Sequence, residues 1–227
     1  MDRYKDVKKD TIYDYNINGA TLMTTKIPDD IFQELKSLTL GEDISHHLIG
    51  VIEDQYLLDH KTCPKFCNFV LTQANQFLFD RSGALIFKHI IKSFWKGGGA
   101  KSIPDPREAL DLELDHMWLN SMGKGSYSPV HDHAGLFSFV VYVSIPFTRE
   151  EEHKLNPNIQ EHKNLNGCTQ FMDDLNLQNI RVSVDKSIEG TCLIFPAWVP
   201  HVVYPFKSEG RRVTISGNIF IKNVDFN

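Results

Sequence analysis

Hydrophobic positions along the chain change period near residue 110, and that change divides the sequence into two regions. Before it, apolar residues recur at helical spacing in two places. Pro28-Asp29-Asp30 opens a segment in which Ile31, Leu35 and Leu38 share one face. From Cys63 to Phe79, the residues Phe66, Phe69, Val70, Ala74, Phe77 and Leu78 form a longer stripe. An apolar stripe of this width is the signature of a helix packed on a core. Lys96-Gly97-Gly98-Gly99-Ala100, followed by Pro104-Asp105-Pro106, marks a loop. It lacks the Gly-Lys-Ser/Thr ending of a phosphate-binding loop.

After Leu110 the period falls to two. Leu112, Leu114, His116 and Trp118 alternate with Glu113, Asp115 and Met117. Phe137, Phe139, Val141, Val143 and Ile145 alternate with Ser138, Val140, Tyr142 and Ser144. Further extended runs are expected at Ile180–Val184, Thr191–Phe195, His201–Phe206 and Arg211–Lys222. Short strands punctuated by Gly, Pro and Asn predict a β-sandwich or barrel. The charged, Asn-rich stretch from Thr148 to Asn179 shows little periodicity and reads as an excursion beside the sheet, a candidate mobile lid. The expected organisation is one domain over 1–227. Residues 1–110 form a helical and mixed support, and 111–227 form the β core.

Composition narrows the function classes. With 227 residues, 41% of them hydrophobic, the chain can bury one sizeable core. A formal charge of −5 and a pI near 6.0 provide no broad basic surface, so nucleic acid is not an expected partner. Cys63 and Cys67 are one residue too far apart for a CxxC redox motif, and Cys168 and Cys192 lie far from them. The N-terminal MDRYKDVKKD is charged, and no run approaches the roughly 18 apolar residues that span a bilayer. The expectation is a soluble cytoplasmic protein with reduced thiols.

Candidate chemistry concentrates in three places. In Tyr127-Ser-Pro-Val-His131-Asp132-His133, residues two apart on an extended chain share a face, so both imidazoles can converge on one metal ion. His201, following Pro200 at the start of another strand, supplies a third ligand and leaves coordination positions open. Along the last strand, one face carries Arg212, Thr214, Ser216 and Asn218, and the other carries Val213, Ile215, Ile219 and Ile221. If the polar face lines the barrel, Arg212 presents a rigid charged fork suited to a carboxylate, with a hydroxyl of Thr214 or Ser216 beside it. A plain solvated face is the competing reading.

The pieces SPVHDHAGLFSFVVYVSIP, EGTCLIFPAWVPHVVYPF and RRVTISGNIFI together resemble the 2-oxoglutarate/Fe(II) oxygenase superfamily. The surroundings resemble in particular the bacterial and phage-encoded branch near the prolyl hydroxylases. The resemblance extends over roughly Trp118 to Ile221 and implies a double-stranded β-helix, the cupin-like jelly roll, with flanking N-terminal helices. It further implies iron(II) on His131, His133 and His201, and 2-oxoglutarate as cosubstrate with its far carboxylate on Arg212. Thr214 is the matching hydroxyl partner, and dioxygen is the second reactant. The implied reaction is hydroxylation of a C–H bond, on a peptide side chain or a small molecule. Trp118, Asn120, Tyr127 and Asn218 are candidates for lining the pocket.

One position departs from the common pattern. Most of the superfamily has a carboxylate where His133 stands, so Asp132 is an alternative ligand if a bulge turns it inward. Other readings of the same histidines are a cupin-type dioxygenase or zinc hydrolase without 2-oxoglutarate, and a non-catalytic jelly-roll binding module. His116 and the His46-His47 pair carry no assignment, and the oligomeric state is not legible.

Overall fold

The computed structural model describes residues 4–6, 12–17, 20–38, 40–45, 50–79, 111–172 and 179–222. The triple-glycine loop and the His46-His47 pair lie outside these residues. Twelve strands and three α-helices are named below from the described part.

Eight strands form the central sandwich. One layer contains β5 (Leu112–Met122), β7 (Phe137–Ser144), β10 (Thr191–Pro196) and β12 (Arg212–Ile221). The other contains β6 (Ser128–His131), β8 (Thr169–Phe171), β9 (Asn179–Val182) and β11 (His201–Val203). Consecutive strands alternate between layers except at β8–β9, and all pairings within these eight are antiparallel. That winding is a double-stranded β-helix. The first layer is widened at one edge by β2 (Ile12–Ile17) and β3 (Ala20–Lys26), and at the other by β4 (Asp54–Leu58). β1 (Tyr4–Asp6) adds to β9 in parallel.

Two helices back the larger sheet. α1 (Asp29–Lys36) starts after Pro28, with Asp29 and Asp30 in its first turn and Lys36 in its last, which suits the helix dipole. α2 (Pro64–Phe79) buries Phe66, Val70, Ala74 and Phe77, as the helical stripe predicts. These residues pack with Phe32 and Leu35 of α1 against Phe137, Phe139, Val141 and Ile215 of the sheet. Removing a phenylalanine such as Phe66 from water contributes about 2–3 kcal/mol. A second apolar cluster lies between the sheets and includes Tyr142, Phe147, Phe171, Leu193, Phe195 and Phe206. No helix among the described residues is long and apolar enough to cross a membrane.

Two departures from period two matter for the site. In β5, Met117 pairs with Gly217 but Leu114 pairs with Ile219, so one extra residue is accommodated between them. This bulge puts Leu112, Leu114 and Met117 together in the helix-facing core and turns Trp118 and Asn120 to the opposite face. The unbroken alternation expected from Leu112 to Trp118 is corrected accordingly. In β6, His131 pairs with His201 but Ser128 pairs with Val203, so Pro129 and Val130 together oppose the single Val202.

The Thr148–Asn179 stretch is also corrected. It is not a featureless lid: it carries α3 (Arg149–Lys154) and the whole of β8, in the middle of the smaller sheet. Thr148 caps α3 in a reciprocal capping box with Glu151. The Glu152 carboxylate is fully buried and accepts hydrogen bonds from the backbone N–H groups of Lys207 and Ser208 and from Asn166 Nδ2. Arg149 donates to the carbonyls of Asn164 and Asn166. These polar residues face inward to tie backbone down, which explains why the stretch has no apolar rhythm.

Candidate active site

A cavity of about 400 Å³ opens between the two sheets, with the histidines toward one part and Arg212 at another. His131 and His201 are directly opposite on neighbouring antiparallel strands. Side chains in that relation lie on one face, roughly 5 Å apart at Cβ, and their ring centroids are 4.3 Å apart. His133 follows β6 in a turn held by its own N–H to the Ala197 carbonyl (2.9 Å) and by Leu136 N–H to the Ile219 carbonyl (2.8 Å). Gly135 enables that turn: its φ is +102°, and a Cβ there would meet the Ile219 carbonyl oxygen at 2.9 Å. The His133 centroid is 5.1 Å from each of the other two rings.

One candidate ligand atom from each of the three imidazoles lies within 4.8 Å of the other two. Nitrogens around a single ion with bonds of roughly 2.1 Å stand about 3–4 Å apart, so a small contraction completes a facial set. Tautomers also suit a metal. His201 Nδ1 faces the Val199 carbonyl at 3.1 Å, and His131 Nδ1 faces the Pro129 carbonyl at 2.7 Å. A carbonyl only accepts, so each Nδ1 carries the proton and leaves the Nε2 lone pair for the ion. Burial, followed by the neighbouring His131, lowers His133 to about 4; burial, then His131 and His133, lowers His201 to about 3. Rings kept neutral in this way are ready ligands. Asp132 lines the cavity but is exposed, and its carboxylate is not in the metal-competent group.

The larger sheet supplies the opposite wall. Arg212, Thr214, Ser216 and Asn218 all line the cavity, so the polar face of β12 points inward. Cross-strand pairing extends these positions into rows: Thr214 lies between Asn120 and Tyr142, and Ser216 between Trp118 and Val140. Asn120 Oδ1 accepts from Gln55 Nε2 (2.6 Å), and Asn218 Oδ1 accepts from Ser138 Oγ (2.8 Å). Trp118 sits 5.8 Å from the His133 ring, between centroids.

Tyr127 differs from the expectation. It is 41% exposed and does not line the cavity. The bulge in β6 is the reason: with an extra residue between Ser128 and His131, Ser128 faces inward with the histidine and its neighbour Tyr127 faces out.

Arg212 is only 2% exposed, yet no carboxylate among the described residues pairs with it. One terminal nitrogen donates to the Gly167 carbonyl (2.9 Å) and the other to Thr169 Oγ1 (3.2 Å). Its Nε has no partner, and neither does the buried hydroxyl of Tyr142, over whose ring the guanidinium stands at 5.7 Å. A desolvated cation with idle donors beside an idle hydroxyl is costly unless an anion completes it. Burial pushes the Arg212 pKa down, a shift that a bound carboxylate would reverse, and pushes the Tyr142 pKa up, which keeps its hydroxyl protonated as a donor. Tyr142 and Thr169 were missed in the sequence. The alternation in β7 did place Tyr142 on the same face as Ser138 and Val140, but Thr169 lay in the stretch without rhythm.

Residues 116–218, which span β5 to β12 and all of these groups, match a family model described as "Putative 2OG-Fe(II) oxygenase". Over that stretch, a little under half of its length, the chain is similar to the 2-oxoglutarate/Fe(II) oxygenases. Solved structures similar to this chain include a 2OG-Fe(II) oxygenase family oxidoreductase from Burkholderia pseudomallei, at 11% identity and TM-score 0.50, covering 98% of both chains. A Pseudomonas putida prolyl-4-hydroxylase is similar at 13% identity and TM-score 0.47, over 90% of this chain and 94% of that chain. A viral collagen prolyl hydroxylase from Paramecium bursaria Chlorella virus-1 aligns at 14% identity and TM-score 0.45, over 89% and 97%. No curated protein sequence matches. At 11% identity the Burkholderia structure speaks to the fold alone, and the family-model match points to the reaction class.

Proposed function

We propose that this oxygenase holds iron(II) through His131, His133 and His201, anchors 2-oxoglutarate on Arg212, and hydroxylates a C–H bond of an organic substrate. A peptide side chain is the substrate class that the sequence resemblance implies. The observation that carries the cosubstrate assignment is the buried Arg212, with no acidic partner among the described residues and an idle Nε, in the same cavity as the three histidines. A zinc hydrolase or a keto-acid-independent cupin would use the histidines and leave that cation unbalanced.

When bound, iron and 2-oxoglutarate supply the oxidising power: dioxygen is consumed, the keto acid leaves as succinate and carbon dioxide, and one oxygen atom enters the substrate. The chain's own residues hold and orient. Pro129 and Val199 carbonyls fix two histidine tautomers. Thr169 and the Gly167 carbonyl aim the Arg212 fork, and Thr214 and Tyr142 supply hydroxyls beside it. Trp118 and Phe195 flank His133 with apolar rings that limit water near the ligands. Asn120 and Asn218, each already fixed by one hydrogen bond through its oxygen, offer amide donors to a substrate.

The test is anaerobic titration of metal-free protein with iron(II), then 2-oxoglutarate, watched for a weak visible charge-transfer band. The band should require both components and vanish in Arg212→Ala while iron still binds. Iron binding without any band in the unmodified protein would overturn the cosubstrate assignment. Hydroxylation itself is read by mass, as one added oxygen on a candidate peptide with stoichiometric succinate.

A further inference from the structure

Behind the larger sheet, away from the histidines, the structure brings two thiols together that the sequence spacing had set aside. Cys63 ends the short 3-10 turn His60–Thr62, and Cys67 lies in the first turn of α2. Their sulfurs are 3.9 Å apart. Both S–H groups are directed at one acceptor, the His60 carbonyl, at 3.4 Å from Cys63 and 3.1 Å from Cys67. The same carbonyl already accepts the Cys63 N–H at 3.2 Å, so three donors compete for two lone pairs. Cys63 is fully buried and Cys67 is partly exposed.

We propose that Cys63 and Cys67 are a peroxide-oxidisable dithiol, with Cys67 as the attacking sulfur and Cys63 as the resolving one. Four residues along a helix advance roughly 6 Å, within the Cα separation of about 4.4–6.8 Å that a disulfide tolerates. The sulfurs therefore need side-chain rotation and a small shift of the first turn rather than unfolding. Bond formation also relieves the crowded carbonyl, since both S–H donors disappear and only the Cys63 N–H remains.

The chemistry balances with hydrogen peroxide as oxidant. The Cys67 sulfur attacks the O–O bond, becomes a sulfenic acid and releases one water. The Cys63 sulfur then attacks Cys67, forms the S–S bond and releases the second water. Two thiols lose two electrons and two protons, and the peroxide is reduced to two waters. The roles follow from environment. Cys67 has access to solvent, and its side-chain contact with Cys63 lowers its pKa, while the same contact followed by burial raises that of Cys63. Glu34 and Asp59 face the pair and oppose thiolate formation. Cys168 and Cys192 are fully buried and distant in the chain, and serve as internal controls.

The experiment treats reduced full-length protein with a small molar excess of hydrogen peroxide, followed by alkylation after unfolding and peptide mapping. The expected result is loss of two thiols and two hydrogen masses, with peptides on either side of Lys65 joined after trypsin cleavage. Cys168 and Cys192 should remain alkylatable. Cys67→Ser should lose the crosslink and leave Cys63 reduced, while Cys63→Ser should stop at a sulfenic acid on Cys67, trapped by a cyclic dione. Should the buried Cys63→Ser variant fail to fold, the unmodified protein and Cys67→Ser decide the matter. Retention of all four thiols, oxidation of Cys67 to sulfinic acid with Cys63 still reduced, or a crosslink between chains would each overturn the proposal.

Discussion

The two walls of the cavity solve different physical problems. The smaller sheet brings His131 and His201 face to face on adjacent strands, with His133 at the turn beyond, and burial lowers the pKa of His133 and His201. Neutral rings cost little to bury and need only a tautomer, which two backbone carbonyls set. The larger sheet buries a permanent cation, Arg212, and gives it neutral acceptors in place of a carboxylate. That wall stores an electrostatic demand and the first stores only lone pairs. The metal wall is therefore complete by itself, and the arginine wall is complete only with an anion.

The largest expected effect breaks the metal wall alone. His201→Ala should abolish iron retention, measured by metal content after desalting. Outer-shell partners by themselves are worth roughly 10–100-fold in metal affinity or activity, so loss of this ligand should exceed about 100-fold. Next, Arg212→Ala should leave iron content unchanged and weaken 2-oxoglutarate by roughly 100-fold, about 3 kcal/mol for a charge-assisted pair. Calorimetric titration on the iron-loaded protein checks it. If Arg212→Ala instead stripped the metal, the two walls would not be separable.

Thr169→Val sharpens the comparison by removing one acceptor of the guanidinium and nothing from the histidines. It should weaken 2-oxoglutarate about 5-fold, near 1 kcal/mol, with iron affinity untouched. The smallest effect is on pH. His133 and His201 titrate well below the usual 6.5 when folded, so the unfolded chain binds protons that the folded chain refuses. Stability of the metal-free protein should therefore be unaffected by these rings above about pH 6.5 and fall as pH drops toward 4 and then 3. Denaturant midpoints across that range test the sign, and His201→Ala should flatten the slope.

Much of this molecule is legible along the chain because its signals are local. The stripe from Cys63 to Phe79 is a helix, and the runs after residue 110 are strands of the expected sandwich. His131, His133, His201 and the inward face of β12 were identified from spacing and from the resemblance. The misreadings occur where period two breaks. A bulge in β5 reverses the alternation at Met117, and another in β6 turns Tyr127 outward; both depend on what the partner strand does. β8 was hidden because its segment is anchored by Glu152, Arg149 and asparagines rather than by an apolar face. The notable case is Cys63 and Cys67, whose spacing lacks the redox motif although their sulfurs are 3.9 Å apart.

By itself the sequence determined the element types of both regions, the three histidines and the arginine-headed strand, because periodicity and residue chemistry are properties of a few neighbouring positions. Only the tertiary structure decided which faces the bulged strands present, which backbone carbonyls set the histidine tautomers, and that Arg212 is buried without a counter-charge among the described residues. Those depend on contacts between strands far apart in the chain, where register, burial and the absence of a partner become physical facts.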